Sequence, residues 1–169
     1  MSKISLTPDK MFKNIYEITP ALLKADGITT VIFDVDNTIA PYSVAHPTEE
    51  MSAYLFSLRD NGINVSFASN NDGKRVEKFN RTLGFFSVSK AKKPSRRAVR
   101  RIMRRFGASE EQTLVIGDQL FTDCLCAHRA GVRAYIVEPI DRKDEGWFVK
   151  LKRVFEKPHI RNFKRRKAL

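Results

Sequence analysis

Long hydrophobic runs are missing from this chain. The longest is about six residues, against the roughly 20 a membrane-crossing helix needs, so a transmembrane protein is excluded as an expectation. Residues 1–13 contain no long apolar stretch either, and no secretory signal is expected there. Cysteine is scarce. Cys124 and Cys126 stand two apart in a segment that reads as helix, so they point to different faces, suit neither a bridge nor a metal pair, and read as packing residues. A cytoplasmic setting follows naturally. The three histidines, His46, His128 and His159, are scattered and form no ligand pattern, although His46 lies close enough after Asp36 to meet a substrate. Repeats and low-complexity linkers are absent, which leaves one domain.

Acidic residues are also few. Thirty-one Lys and Arg face 19 Asp and Glu, a net charge of +12 in 169 residues. A surface of that sign attracts phosphate-bearing partners: nucleic acid, anionic lipid or small phosphoesters. Charge does not choose among them. A hydrophobic content of 42% is enough for a single domain with a real core.

The chain is organised around Ile28–Thr38, Ile-Thr-Thr-Val-Ile-Phe-Asp-Val-Asp-Asn-Thr. Ile28 to Phe33 reads as a strand buried on both faces, as in the middle of a parallel sheet. Asp34 and Asp36 must lie at or beyond its carboxyl end, because an unpaired buried charge costs at least several kcal/mol. Two carboxylates so close repel unless a cation or a shared proton relieves them, which suggests phosphoryl-transfer chemistry around a divalent metal. Before this strand, Thr7-Pro8-Asp9 and Thr19-Pro20 each place a capping residue ahead of a proline, as at helix starts. After it, helices are expected over 48–60, 73–83, 95–106 and 121–130. They alternate with strands over 63–68, 85–88, 113–116 and 132–137. Such alternation predicts an α/β fold with a doubly wound parallel sheet. Residues 1–27 form a helical lead-in, 28–140 the core and 141–169 a basic amphipathic extension.

Strand ends carry matching polar groups: Asp34 and Asp36, then Ser69, then Asp118 with Asp123 five residues on, while Lys93 precedes Pro94. In a parallel sheet these points share one edge, where such folds bind ligands. Ser69 or Asp118 alone serves equally well as a helix cap; the whole set with a lysine argues for more. The set resembles the haloacid dehalogenase-like (HAD) superfamily over residues 28–138. Its four motifs occur in order: Asp34-Val35-Asp36-Asn37-Thr38, Ser69, Lys93, and Gly117-Asp118 through Thr122-Asp123. Compactness and Lys93-Pro94 point to class IIIA, and the chain resembles the YqeG family, whose mitochondrial relatives dephosphorylate phosphatidylglycerophosphate. The resemblance implies a Rossmann-like core and a phosphatase in which Asp34 is the nucleophile and Asp36 the acid and base. It implies Mg²⁺ held by Asp34, the Asp36 carbonyl and Asp118 with support from Asp123, and phosphate held by Ser69, Lys93 and main-chain donors near Asn37 and Thr38.

Neither 39–62 nor 72–92 is long enough for the cap domain that relatives acting on small metabolites carry. A capless, open site implies a large substrate, such as a lipid headgroup at a membrane, a nucleic-acid end or a phosphoprotein. Two stretches hold much of the positive charge. Arg96, Arg97, Arg100, Arg101, Arg104 and Arg105 recur at helical spacing, either as a solvated face or as a track for phosphates. Trp147, Phe148, Leu151, Val154 and Phe155 make an apolar stripe among Lys150, Lys152, Arg153 and Lys157. That stripe either packs on the domain or lies on a membrane. The combined expectation is a cytoplasmic Mg²⁺-dependent phosphatase, peripheral on the inner membrane face and acting on phosphatidylglycerophosphate. The rivals are nucleic-acid ends, a phosphoprotein, or a basic RNA- or ribosome-binding module.

Overall fold

A computed structural model describes residues 5–143 and 145–167. Six strands are described: β1 (Lys10–Phe12), β2 (Thr30–Phe33), β3 (Asn64–Ala68), β4 (Phe86–Val88), β5 (Thr113–Gly117) and β6 (Arg133–Val137). The helices are α1 (Pro20–Ala25), α2 (Glu49–Asp60), α3 (Gly73–Asn80), α4 (Arg97–Phe106), α5 (Leu125–Ala130) and α6 (Trp147–Lys167). All strand pairs are parallel, in the order β1-β6-β5-β2-β3-β4.

Strand β2 sits centrally because its four residues are all buried, as the apolar run requires. Its side chains alternate between two cores. Val31 and Phe33 pack with Leu23 of α1, Leu55 and Leu58 of α2, and Phe79 of α3. Ile32 packs on the other face with Val99 and Ile102 of α4 and Ala127 of α5. Helices on both faces make the sheet doubly wound, as expected. The chain runs from β2 outward through β3 and β4, then returns to β5 on the other side of β2. The order therefore switches between β2 and β5, opening a crevice at their carboxyl ends. The segments 39–62 and 72–92 hold one loop with α2, and α3 with β4, so neither carries a cap.

Three local expectations need correction. Thr7-Pro8-Asp9 starts no helix. Asp9 donates its N–H to the Ala134 carbonyl at 2.9 Å, and its Oδ2 accepts from the Ala134 N–H at 2.8 Å, so the chain enters β1 on the sheet edge. Pairing with β6 outweighs a weak capping preference there. α4 begins at Arg97, two residues later than expected; Arg96 makes no side-chain cap, while the Ser95 hydroxyl accepts from the Arg97 N–H at 3.4 Å. The segment expected as a helix from Phe121 is a π-helical turn over Leu120–Cys124 that leads into α5.

The tail differs most. α6 runs 21 residues through Pro158. Pro158 lies on the exposed side, where the Val154 carbonyl that it deprives of a partner can be hydrated. The apolar stripe does not pack on the domain: Trp147, Phe148, Leu151, Val154 and Phe155 are 46–68% exposed. Arg153, Glu156 and Phe163 are buried instead, and Ile160 packs against the α4–α5 core. The helix docks through an ion-paired face.

Candidate active site

Strand geometry brings the predicted groups together. Phe33 aligns with Ile116 across the β2–β5 pair, and the Asp34 N–H donates to the Ile116 carbonyl at 2.8 Å, so Asp34 and Asp118 leave neighbouring strands side by side. The π-helical turn then carries Asp123 back beneath Gly117. A Cβ on Gly117 would stand 2.2 Å from the Asp123 side chain, so only glycine leaves room for this approach. The Asp123 Oδ2 accepts from the Gln119 N–H at 3.1 Å, which fixes its rotamer. Carboxylate oxygens of Asp34, Asp118 and Asp123 lie within 4.8 Å of one another, and all three residues are buried.

Lys93 closes this group. Its Nζ stands 2.7 Å from both Asp34 Oδ1 and Asp123 Oδ1, and Asn70 grips its main chain on both sides, at 2.7 and 3.1 Å. Ser69 ends β3. Its Oγ accepts from the Asn71 N–H at 3.0 Å, leaving the hydroxyl proton to donate into the cleft. Asp36 faces Arg75, whose Nη2 is 3.1 Å from Oδ1, and Asn71, which donates to its Oδ2 at 3.2 Å. These groups line a cleft of about 270 Å3 containing Asp34, Asp36, Ser69 and Lys93. A larger hollow of about 430 Å3 lies between Asp9, Glu110 and Arg133 and gathers none of the expected groups.

Asn37 and Thr38 lie behind the cleft rather than along it. Asn37 takes up a left-handed conformation, φ 62°, which asparagine tolerates better than most residues. Its side chain donates to Glu145 Oε1 at 3.1 Å and accepts from the Asp141 N–H at 3.2 Å. Its own N–H donates to the Ala40 carbonyl at 2.7 Å. The Thr38 hydroxyl donates to Asp118 Oδ1 at 3.0 Å. Both residues brace the loop that carries Asp34 and Asp36.

Sequence reasoning missed Arg153, as it missed Arg75 and Glu145. From α6, Arg153 ion-pairs with Asp118 Oδ2, donates to the Asp118 carbonyl at 2.5 Å and meets Glu145 Oε1 at 2.7 Å. Glu156, completely buried, accepts from the Phe121 N–H at 3.0 Å. Val149 and Lys152 of the same helix line the cleft. The tail therefore forms one wall of the site. Nothing in the local sequence marks Arg153 out from the other basic residues of the tail.

Electrostatics follow from burial. Six buried carboxylates (Asp34, Asp36, Asp118, Asp123, Glu145 and Glu156) face two buried cations, Lys93 and Arg153, with Arg75 half-buried against Asp36, so negative charge is in excess. Burial, above all, pushes Asp34 well above the usual carboxylate range; Lys93 opposes this, while Asp123 and Asp118 add to it. Burial likewise carries Asp118 up to about 6, with Arg153 opposing and Asp123 adding. Burial alone would lower Lys93, but Asp123 and Asp34 hold its ammonium protonated. A converging set of hard oxygen donors with unbalanced negative charge fits a divalent cation.

Known proteins resemble this chain. A family model described as "HAD-hyrolase-like" matches residues 90–139. The chain is 34% identical over 166 residues to the probable phosphatase YqeG of Bacillus subtilis, covering 98% of this chain and 96% of that protein. It is 27% identical over 164 residues to phosphatidylglycerophosphate phosphatase 1, chloroplastic/mitochondrial, of Arabidopsis thaliana, covering 88% of this chain but 45% of the relative. Among solved structures, a protein described as a HAD superfamily (subfamily III A) hydrolase from Legionella pneumophila superposes with a TM-score of 0.53 at 20% identity, over 75% of this chain and 74% of the other. The cobalt-bound deoxy-D-mannose-octulosonate 8-phosphate phosphatase of Haemophilus influenzae gives 0.52 at 18% identity, over 80% and 91%. Those two likenesses bear on the fold; the near full-length match bears on the family. The chain belongs to the YqeG family of HAD-like phosphatases.

Proposed function

We propose that the chain hydrolyses a phosphate monoester in two in-line steps through an aspartyl-phosphate on Asp34. In the first step an Asp34 carboxylate oxygen attacks phosphorus, the bond to the ester oxygen breaks, and Asp36 gives that oxygen its proton. In the second, Asp36 takes a proton from water as the water oxygen attacks phosphorus, releasing inorganic phosphate and freeing Asp34. Lys93 holds the Asp34 carboxylate in line and, with the Ser69 hydroxyl, offers donors to the phosphoryl oxygens. Asn37 and Thr38 keep the loop in register. Mg²⁺ is the proposed cation, held by Asp34, Asp118 and Asp123 together with the Asp36 carbonyl; when bound it would offset phosphoryl charge. The observation that carries this reading is the buried Asp34–Lys93–Asp123 bridge at 2.7 Å on both sides, in a cleft that Asp36 also lines.

The proposed substrate is a phosphomonoester on an anionic lipid headgroup, with phosphatidylglycerophosphate the specific case. The capless cleft, the net charge of +12 and the Arabidopsis relative support it. A nucleic-acid phosphate end is the second reading, favoured by the arginines exposed along α4. Phosphate release with Mg²⁺ from phosphatidylglycerophosphate in vesicles, from 5′-phosphorylated RNA and from a small chromogenic ester separates them. Lipid turnover well above the other two, abolished in Asp34→Asn, is expected. RNA turnover exceeding lipid turnover would move the substrate to the second reading, and release by Asp34→Asn at the wild-type rate would refute the nucleophile.

A further inference from the structure

We infer that the outer face of α6 is a docking surface for an anionic lipid bilayer. The inference rests on the lipid-substrate reading for its relevance to catalysis, but on separate observations for its geometry. Seven large hydrophobic side chains are exposed among the described residues, and five of them lie on the first three turns of this one helix: Trp147, Phe148, Leu151, Val154 and Phe155. At 100° per residue they span an arc of roughly 120°, opposite the arc of Arg153 and Glu156 that docks on the domain. The helix leaves its hydrophobic side outward because its ion-paired side is committed to Asp118 and Glu145. A patch this concentrated marks an interaction site rather than ordinary surface.

Charge selects the occupant. The apolar arc continues along the helix into Arg161, Arg165 and Arg166, all exposed, and Lys150 flanks it. The only acid in α6 is Glu156, which is fully buried. An apolar stripe running into cations with no exposed acid matches the acyl boundary and phosphate layer of an anionic leaflet, with Trp147 as the kind of ring that settles at that boundary. A second copy fits poorly, since each carries +12 and would bring arginines against arginines. Nucleic acid would satisfy the arginines but leave Leu151 and Val154 without a partner. The location suits the chemistry, because Val149 and Lys152 of the same helix line the cleft with Asp34 and Asp36. A helix lying in the leaflet holds the cleft beside the headgroups.

Vesicle co-sedimentation of the full chain tests this, comparing wild type with the triple variant Trp147→Gln, Phe148→Gln, Phe155→Gln; glutamine keeps helix propensity. Wild type should bind phosphatidylglycerol-containing vesicles and not pure phosphatidylcholine vesicles. The variant should bind the anionic vesicles at least roughly tenfold more weakly, with its helical circular dichroism and its turnover of a small soluble ester unchanged. Wild type that ignores anionic vesicles, or a variant that binds them equally well, overturns the inference. A wild-type dimer in ultracentrifugation that the variant converts to monomer assigns the face to a second copy instead. Vesicle binding without turnover of phosphatidylglycerophosphate would sink the substrate reading and leave docking intact; turnover with unaltered binding by the variant would do the reverse.

Discussion

Arg153 holds the tail to the buried carboxylates behind the cleft, and replacing it by methionine isolates that role. Arg153 is 8% exposed. It ion-pairs with Asp118, meets Glu145 Oε1 at 2.7 Å and lies 3.5 Å from Glu156 Oε2. Arg153→Met keeps much of the stem's volume and leaves these carboxylates buried without their cation. Breaking a buried pair from one side costs about 3–5 kcal/mol, because the stranded charge dominates. With a urea m-value of about 2 kcal/mol/M, the unfolding midpoint of the metal-free protein falls by about 1.5–2.5 M. Arg153→Lys restores charge without the fork that reaches Asp118 and Glu145 together, and should recover only part of the loss. Glu145→Gln in the Arg153→Met background removes one stranded carboxylate, so the double variant should be more stable than Arg153→Met alone. That non-additivity separates electrostatic stranding from lost packing. A midpoint for Arg153→Met within about 0.25 M of wild type, equivalent to about 0.5 kcal/mol at that m-value and the range of ordinary surface substitutions, would refute the buried network.

Gly117→Ala places a methyl 2.2 Å from the Asp123 side chain. Overpacking of this kind costs about 1–3 kcal/mol, and the variant should show a lower melting temperature together with lower kcat, since Asp123 must move. Arg75→Gln removes the guanidinium 3.1 Å from Asp36; the carboxylate proposed as acid and base, left to wander, should lower kcat by about tenfold or more with little change in KM, as steady-state assays with a small ester can measure. For pH, Asp118 at about 6 in the fold stands above the 3.9 of an unfolded aspartate. The folded state then holds its proton more tightly, so this group's contribution is full below about pH 4 and is lost as pH rises through about 6. A divalent cation binds the ionised form and opposes that loss. Magnesium should therefore raise the melting temperature strongly at pH 8 and little at pH 5, worth about 2.7 kcal/mol at a hundredfold excess over Kd, and a chelator should reverse it.

Much of the site was legible because its residues obey a local rule. An apolar, strand-like run that ends abruptly in Asp34, Ser69 or Asp118 marks the carboxyl edge of a parallel sheet, and topology alone makes those ends converge. Lys93 entered through its motif, and its 2.7 Å bridges could not be read from spacing. Arg75, Glu145 and Arg153 were illegible for a different reason. Each acts on a residue tens of positions away, with Arg153 and Asp118 35 apart, and each resembles any surface charge in its own segment. The tail exposes the weakness of hydrophobic periodicity. It correctly identifies α6 as amphipathic and says nothing of which face meets the domain. Here a buried ionic network outcompetes the apolar stripe for the docking position. Strand β1 was missed because its three residues carry no strong pattern; the open edge of β6 gives them their conformation.

The steric course at phosphorus tests the central claim most directly. A phosphorothioate ester made chiral at phosphorus with sulfur and two oxygen isotopes is hydrolysed by the wild-type enzyme in water carrying the third isotope, and the configuration of the inorganic thiophosphate released is read by NMR. Two in-line displacements, first by Asp34 and then by water, predict retention. Inversion would mean that water attacks the ester directly, and the assignment of Asp34 as nucleophile would fall.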